Sequence, residues 1–101
     1  MTAEPSDTPT TLGCWRLHHK IGSGGLSEVW AASRISGEPI EGEPEQLALK
    51  VLHEHRDNWD NRWRFLREGR LLQKLAHPTL PRCWEIHETP RPHIALDLLQ
   101  G

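Results

Sequence analysis

Apolar and polar residues alternate through Trp15-Arg16-Leu17-His18-His19-Lys20-Ile21, the period-two pattern of a strand with one buried face. The pattern resumes from Glu28 to Arg34, where Val29 and Ala31 fall on one face and Trp30 and Ala32 on the other. A third strand is expected over Gln46 to His53. Within it Leu47, Leu49 and Val51 share a face, and Ala48, Lys50 and Leu52 share the opposite one. Two further alternating runs, Cys83 to Glu88 and His93 to Leu99, predict a fourth and a fifth strand joined by Thr89-Pro90-Arg91-Pro92. Between the third and fourth strands the period changes. Residues from about Asp60 to Ala76 read as a helix, with Asp57, Asn58 and Asp60 as candidate N-caps and Pro78 closing the run. Three strands, one helix and two strands make an α+β chain.

Two charged residues interrupt this pattern. Lys50 lies between Ala48 and Leu52 on an apolar strand face, either at a sheet edge or aimed at something negative. On the helix, Phe65, Leu71, Leu72 and Leu75 form an apolar stripe around Glu68, which places a carboxylate in the middle of a buried face. An unpaired buried carboxylate is costly, so the fold is expected to bring it a cation. Lys50 has the matching need. Arg67, Arg70 and Lys74 form a different, solvated side of the helix, with docking of acidic or phosphorylated segments as the minor reading. Trp59 and Trp63, one turn apart, are expected to be packing anchors.

Between the first two strands lies Ile21-Gly22-Ser23-Gly24-Gly25-Leu26-Ser27-Glu28-Val29. Such a glycine cluster is either an ordinary hairpin turn or a backbone cradle for an anion, most often a phosphate. The glycines precede an extended Val29-Trp30-Ala31 segment instead of opening a helix, which excludes a dinucleotide-binding unit. No Gly-Lys-Ser/Thr follows, which excludes the Walker phosphate loop. The connection from Ser36 to Glu45, with two prolines and four glutamates, reads as an exposed acidic turn.

Composition narrows the picture further. The 101 residues allow one domain. A net charge of −2 gives no electrostatic case for nucleic acid as a partner. No apolar run approaches the roughly 20 residues that cross a bilayer. Residues 1–14 are expected to be a disordered leader without the features of an export signal. Cys14 and Cys83 then read as free thiols of a cytoplasmic protein. The seven histidines are scattered, and no metal site is expected from them.

The order of these features resembles the small, N-terminal lobe of a eukaryotic-type Ser/Thr protein kinase of the bacterial kind. The matching segments are Gly22-Ser23-Gly24-Gly25-Leu26-Ser27-Glu28-Val29, Leu47-Ala48-Leu49-Lys50, Arg64-Phe65-Leu66-Arg67-Glu68 with Leu75-Ala76-His77-Pro78, and Ile94 to Gly101. The resemblance implies a five-stranded antiparallel sheet with the main helix between strands three and four, over residues 15–101. It implies ATP as ligand, with the loop from Ile21 to Val29 over the phosphates, Lys50 on the α- and β-phosphates and Glu68 on Lys50. By the same analogy Ile21, Val29, Ala48 and Leu96 line the adenine pocket, and backbone groups of Asp97 and Leu99 bond the base edge. Ser27 stands where the family's third glycine would be. The family's His-Arg-Asp and Asp-Phe-Gly segments, which supply the catalytic base and the magnesium ligands, have no counterpart here. No catalytic or metal-binding residue is therefore expected in this chain, and Mg²⁺ and the protein substrate belong to a complete kinase domain. The isolated chain is expected to be inactive. The alternative is a non-catalytic small-lobe module that docks on another kinase or scaffold.

Overall fold

The computed structural model describes residues 10–75 and 77–98. Six strands form one antiparallel sheet: β1 (Thr10–Leu12), β2 (Trp15–Ser23), β3 (Ser27–Arg34), β4 (Leu47–Leu52), β5 (Cys83–His87) and β6 (His93–Asp97). Their order across the sheet is β1-β2-β3-β4-β6-β5. A single turn of 3₁₀ helix, Glu54–Arg56, leads from β4 into the helix α1 (Trp59–Leu75). Asn58 is the N-cap that forms, its Oδ1 accepting the Asn61 N–H at 2.9 Å. Asp57 instead pairs with Arg62 at 2.8 Å.

The sheet has one strand more than the five expected, so the helix follows the fourth strand of the chain. The added strand is β1, drawn from the segment read as a leader. It pairs Thr10 with Leu17 and Leu12 with Trp15. Gly13, at φ +59°, makes the reversal, a conformation that only glycine adopts readily. Three residues are too few for alternation to show in the sequence. The expected helix end at Ala76 and the strand end at Leu99 lie outside the described residues.

The sheet separates two cores. On one face Trp15, Leu17, Ala32, Leu47, Leu49, Val51, Trp84 and Ala95 pack together. On the other, Leu52, Cys83 and Ile94 meet Phe65 and Leu66 of α1. The helix stripe is rotated from the one expected. Phe65, Leu66 and Gly69 are buried, while Leu71 and Leu75 are 45% and 59% exposed. The cause is Gly69, where an added Cβ would lie 2.9 Å from Ile94 and 3.2 Å from Ile86. The helix backbone approaches the sheet most closely there, and that approach fixes which side is inward. Trp59 and Trp63, expected as anchors, are 81% and 55% exposed for the same reason.

The acidic connection is also not a simple solvated turn. Arg34 at the end of β3 holds both Glu43 carboxylate oxygens at 2.9 Å, and the Glu43 side chain is almost fully buried. The same guanidinium reaches Glu85 on β5, the Cys14 sulfur at 3.6 Å and the Trp15 ring. Its hydrogen bonds hold the Glu43 carboxyl below the usual carboxylate range, and Glu43 in turn raises Arg34.

Candidate functional site: the glycine loop and the lysine–glutamate pair

The helix-bearing face of the sheet collects most of the side chains singled out above. Register pairs Val29 with Lys50, Lys50 with Ile94, and Ala48 with Leu96. Residues directly opposite in an antiparallel ladder project to the same face. Val29, Ala48, Lys50 and Leu96 therefore share one surface, and all but Ala48 remain partly exposed there. Ile21 falls at a register shift in β2 and is 48% exposed. The Asp97 N–H is taken by the Arg82 carbonyl at 3.0 Å, and its carboxylate binds Trp84 Nε1 and the Arg82 N–H. Of the Asp97 groups expected at a base edge, the carbonyl is the one not accounted for by these bonds. Leu99 lies outside the described residues.

The expected ion pair forms. Lys50 Nζ donates to Glu68 Oε1 at 2.8 Å across the gap between β4 and α1. Its setting differs from the sequence reading. With the stripe centred on Phe65, Leu66 and Gly69, Glu68 sits about a quarter turn from the centre, and its side chain is 52% exposed against 26% for Lys50. Solvent screening at that exposure leaves such a pair worth about 1 kcal/mol or less, well below a buried pair. Its consequence is positional: the carboxylate fixes the ammonium on the Val29–Ala48–Leu96 surface.

Above that surface, β2 and β3 are joined through Gly24, Gly25 and Leu26. The Gly24 N–H closes the turn on the Ser27 carbonyl at 2.8 Å. None of Gly22, Gly24 and Gly25 has positive φ. A Cβ at Gly22 or Gly25 would meet nothing within 4 Å, and one at Gly24 only the Ser27 carbonyl at 3.9 Å. A two-residue hairpin of the favoured primed types needs positive φ at its glycines. This loop does not. The fold could accept side chains at these positions. Leu26 turns inward against the α1-side core, and Ser27, the residue in the third glycine position, is buried.

Two clusters on the opposite face carried no sequence signal. Cys14, Glu85 and His87 bring metal-type donors within 4.8 Å of one another, but Arg34 already contacts both Cys14 and Glu85. A protein cation fills the role a metal would take. Burial pushes the Cys14 thiol up, away from the thiolate that a metal binds. The second cluster joins the glycine loop to His53. Its Nε2 bonds the Gly24 carbonyl at 3.0 Å and its Nδ1 lies 3.2 Å from Glu28. His53 stacks on His55 across the 3₁₀ turn, where an unbroken strand through Glu54 would be the other way for the two to share a face.

No family model matches the chain. It is similar to the DNA damage-responsive serine/threonine-protein kinase RqkA of Deinococcus radiodurans, with 35% identity over 99 residues covering 93% of this chain and 14% of the relative. It is also similar to the serine/threonine-protein kinase Pkn1 of Myxococcus xanthus, with 28% identity over 91 residues covering 88% of this chain and 12% of the relative. The chain thus spans between about one eighth and one seventh of the length of the curated relatives it matches.

Proposed function

From this kinship with bacterial serine/threonine-protein kinases, we propose that the chain is the ATP-binding small lobe of such a kinase. The observation that carries the reading is the pairing of a glycine loop with no internal need for glycine and a lysine fixed on the surface beneath it. An extended backbone without Cβ atoms lets N–H groups approach phosphate oxygens closely. Lys50 supplies the charge that phosphates need, and Glu68 keeps that charge in place. Val29, Ala48 and Leu96 offer a flat apolar surface of the kind that receives a purine, with Ile21 at its rim. Mg²⁺, the catalytic base and the hydroxyl substrate belong to the rest of a complete kinase, where the γ-phosphate passes to a protein hydroxyl. In this chain the residues hold the nucleotide and orient its phosphates.

Titration with ATP tests this. Binding is expected, and it is expected to fall about tenfold or more in Lys50→Met. Equal binding by both proteins would overturn the assignment.

The second reading, a non-catalytic module docking on another kinase or scaffold, is favoured by the exposed Trp59 and Trp63 on α1. A soluble monomer or defined dimer in size-exclusion chromatography, with no ATP binding, would support it over the first.

A further inference from the structure

Three groups of the glycine loop, on alternate residues, converge on one position at the end of β4. The His53 side chain bonds the Gly24 carbonyl at 3.0 Å, its backbone N–H donates to the Leu26 carbonyl at 3.0 Å, and its ring lies 3.2 Å from the Glu28 carboxylate. We propose that His53 is a positioning residue for the loop, its ring set between the Gly24 carbonyl and the Glu28 carboxylate. This rests on the loop being the phosphate-binding element.

The chemistry of the ring's two neighbours carries the argument. A carbonyl oxygen and a carboxylate oxygen are both acceptors. A neutral imidazole has one N–H, so either tautomer turns a nitrogen lone pair toward one of these oxygens. Only the Nε2 contact has hydrogen-bond geometry, so Nε2 carries the N–H that the Gly24 carbonyl accepts, and Nδ1 packs beside Glu28. Glu28 is held in place independently, since Trp30 Nε1 donates to its other oxygen at 2.6 Å. Lys20 Nζ on β2 stands 4.0 Å from the oxygen that faces His53 and competes for it. His55 stacks on the ring with centroids 5.1 Å apart.

The geometry explains how this reaches a bound phosphate. Glu28 pairs with Val51, and Val29 with Lys50, so Glu28 and Lys50 project to opposite faces of the sheet. His53 draws the Gly24 carbonyl toward the Glu28 side. In a planar trans peptide the next N–H points the opposite way. That N–H belongs to Gly25, and it is thereby aimed at the Lys50 side. His53 never touches the nucleotide; it sets the orientation of one peptide that does.

The test measures ATP affinity and amide-exchange protection of Gly24 to Leu26 in the whole protein, for wild type, His53→Phe, His53→Gln and Glu28→Gln. His53→Phe is expected to weaken ATP binding about three- to tenfold, the range for one lost hydrogen bond, and to lower loop protection. His53→Gln, which keeps one donor, should retain protection, and Glu28→Gln, which frees the ring from its charged neighbour, should lower it if His53→Phe fails to fold. Unchanged affinity and protection in His53→Phe, with Lys50→Met still weakening ATP, would overturn the role of His53. Absence of ATP binding in wild type would instead overturn the phosphate reading, and loop protection would still decide whether His53 positions the loop.

Discussion

His93 shows how one buried side chain ties stability to pH. It is 1% exposed, its Nδ1–H donates to the Arg91 carbonyl at 2.6 Å, and its Nε2 is buried without a partner. Burial pushes its pKa down to about 4, with the stacked His87 adding to the effect. The unfolded chain, with a histidine near its ordinary value of about 6.5, takes up the proton first as pH falls. The neutral ring's contribution is therefore complete above about pH 6.5 and lost progressively down to about pH 4. The full span is on the order of 3 kcal/mol. Urea denaturation between about pH 5 and pH 7 should show stability rising with pH, and His93→Phe should remove that slope. A wild-type protein with flat stability across the window would contradict the assignment. His93 gave no such signal in the sequence, where it opens an alternating run like any other polar residue.

At the scale of elements, α1 shows both what patterning can deliver and where it stops. The meeting of Lys50 and Glu68 was legible, because each residue breaks the apolar pattern of its own element and each needs the other's charge. The depth of the meeting was not. Leucines at 71 and 75 look like core, whereas Gly69 looks like a flaw that costs about 1 kcal/mol of helix propensity. That cost was itself the available clue, since a glycine inside a helix usually marks close packing. Gly69→Ala adds a methyl where Ile94 and Ile86 already stand at 2.9 and 3.2 Å. Improved propensity offsets part of the overpacking, and a net loss of about 1–2 kcal/mol is expected in thermal or urea unfolding. The helix should also move outward and carry Glu68 away from Lys50, so the same variant should weaken ATP binding although residue 69 packs on Ile94 and Ile86 and not on the nucleotide. A more stable Gly69→Ala protein would show that the sheet yields instead.

Across the whole molecule, five of the six strands were legible from alternation, but contacts between distant loops were not. Arg34 links Glu43, nine residues on, to Glu85, fifty-one residues on, and no periodicity relates the three. Only closure of the sheet brings them together. Arg34→Gln would leave Glu43 and Glu85 buried or half-buried without their cation, a change expected to cost about 3 kcal/mol or more. A melting temperature within a degree or so of wild type would show that water replaces the guanidinium.

β1 leaves a further mark on how the protein behaves in solution. Hydrophobic alternation would start the domain at Trp15, and a chain trimmed to that point would keep every fully buried core residue, losing only Leu12 and Cys14 from the edge of one core. It would also strip the cover from β2 at Trp15 to Leu17, baring N–H and C=O groups that β1 now occupies. Open strand borders recruit one another. Trimming before Trp15 should therefore turn a monodisperse protein into one that self-associates with rising concentration, measurable by light scattering, while the same cut made before Thr10 should not.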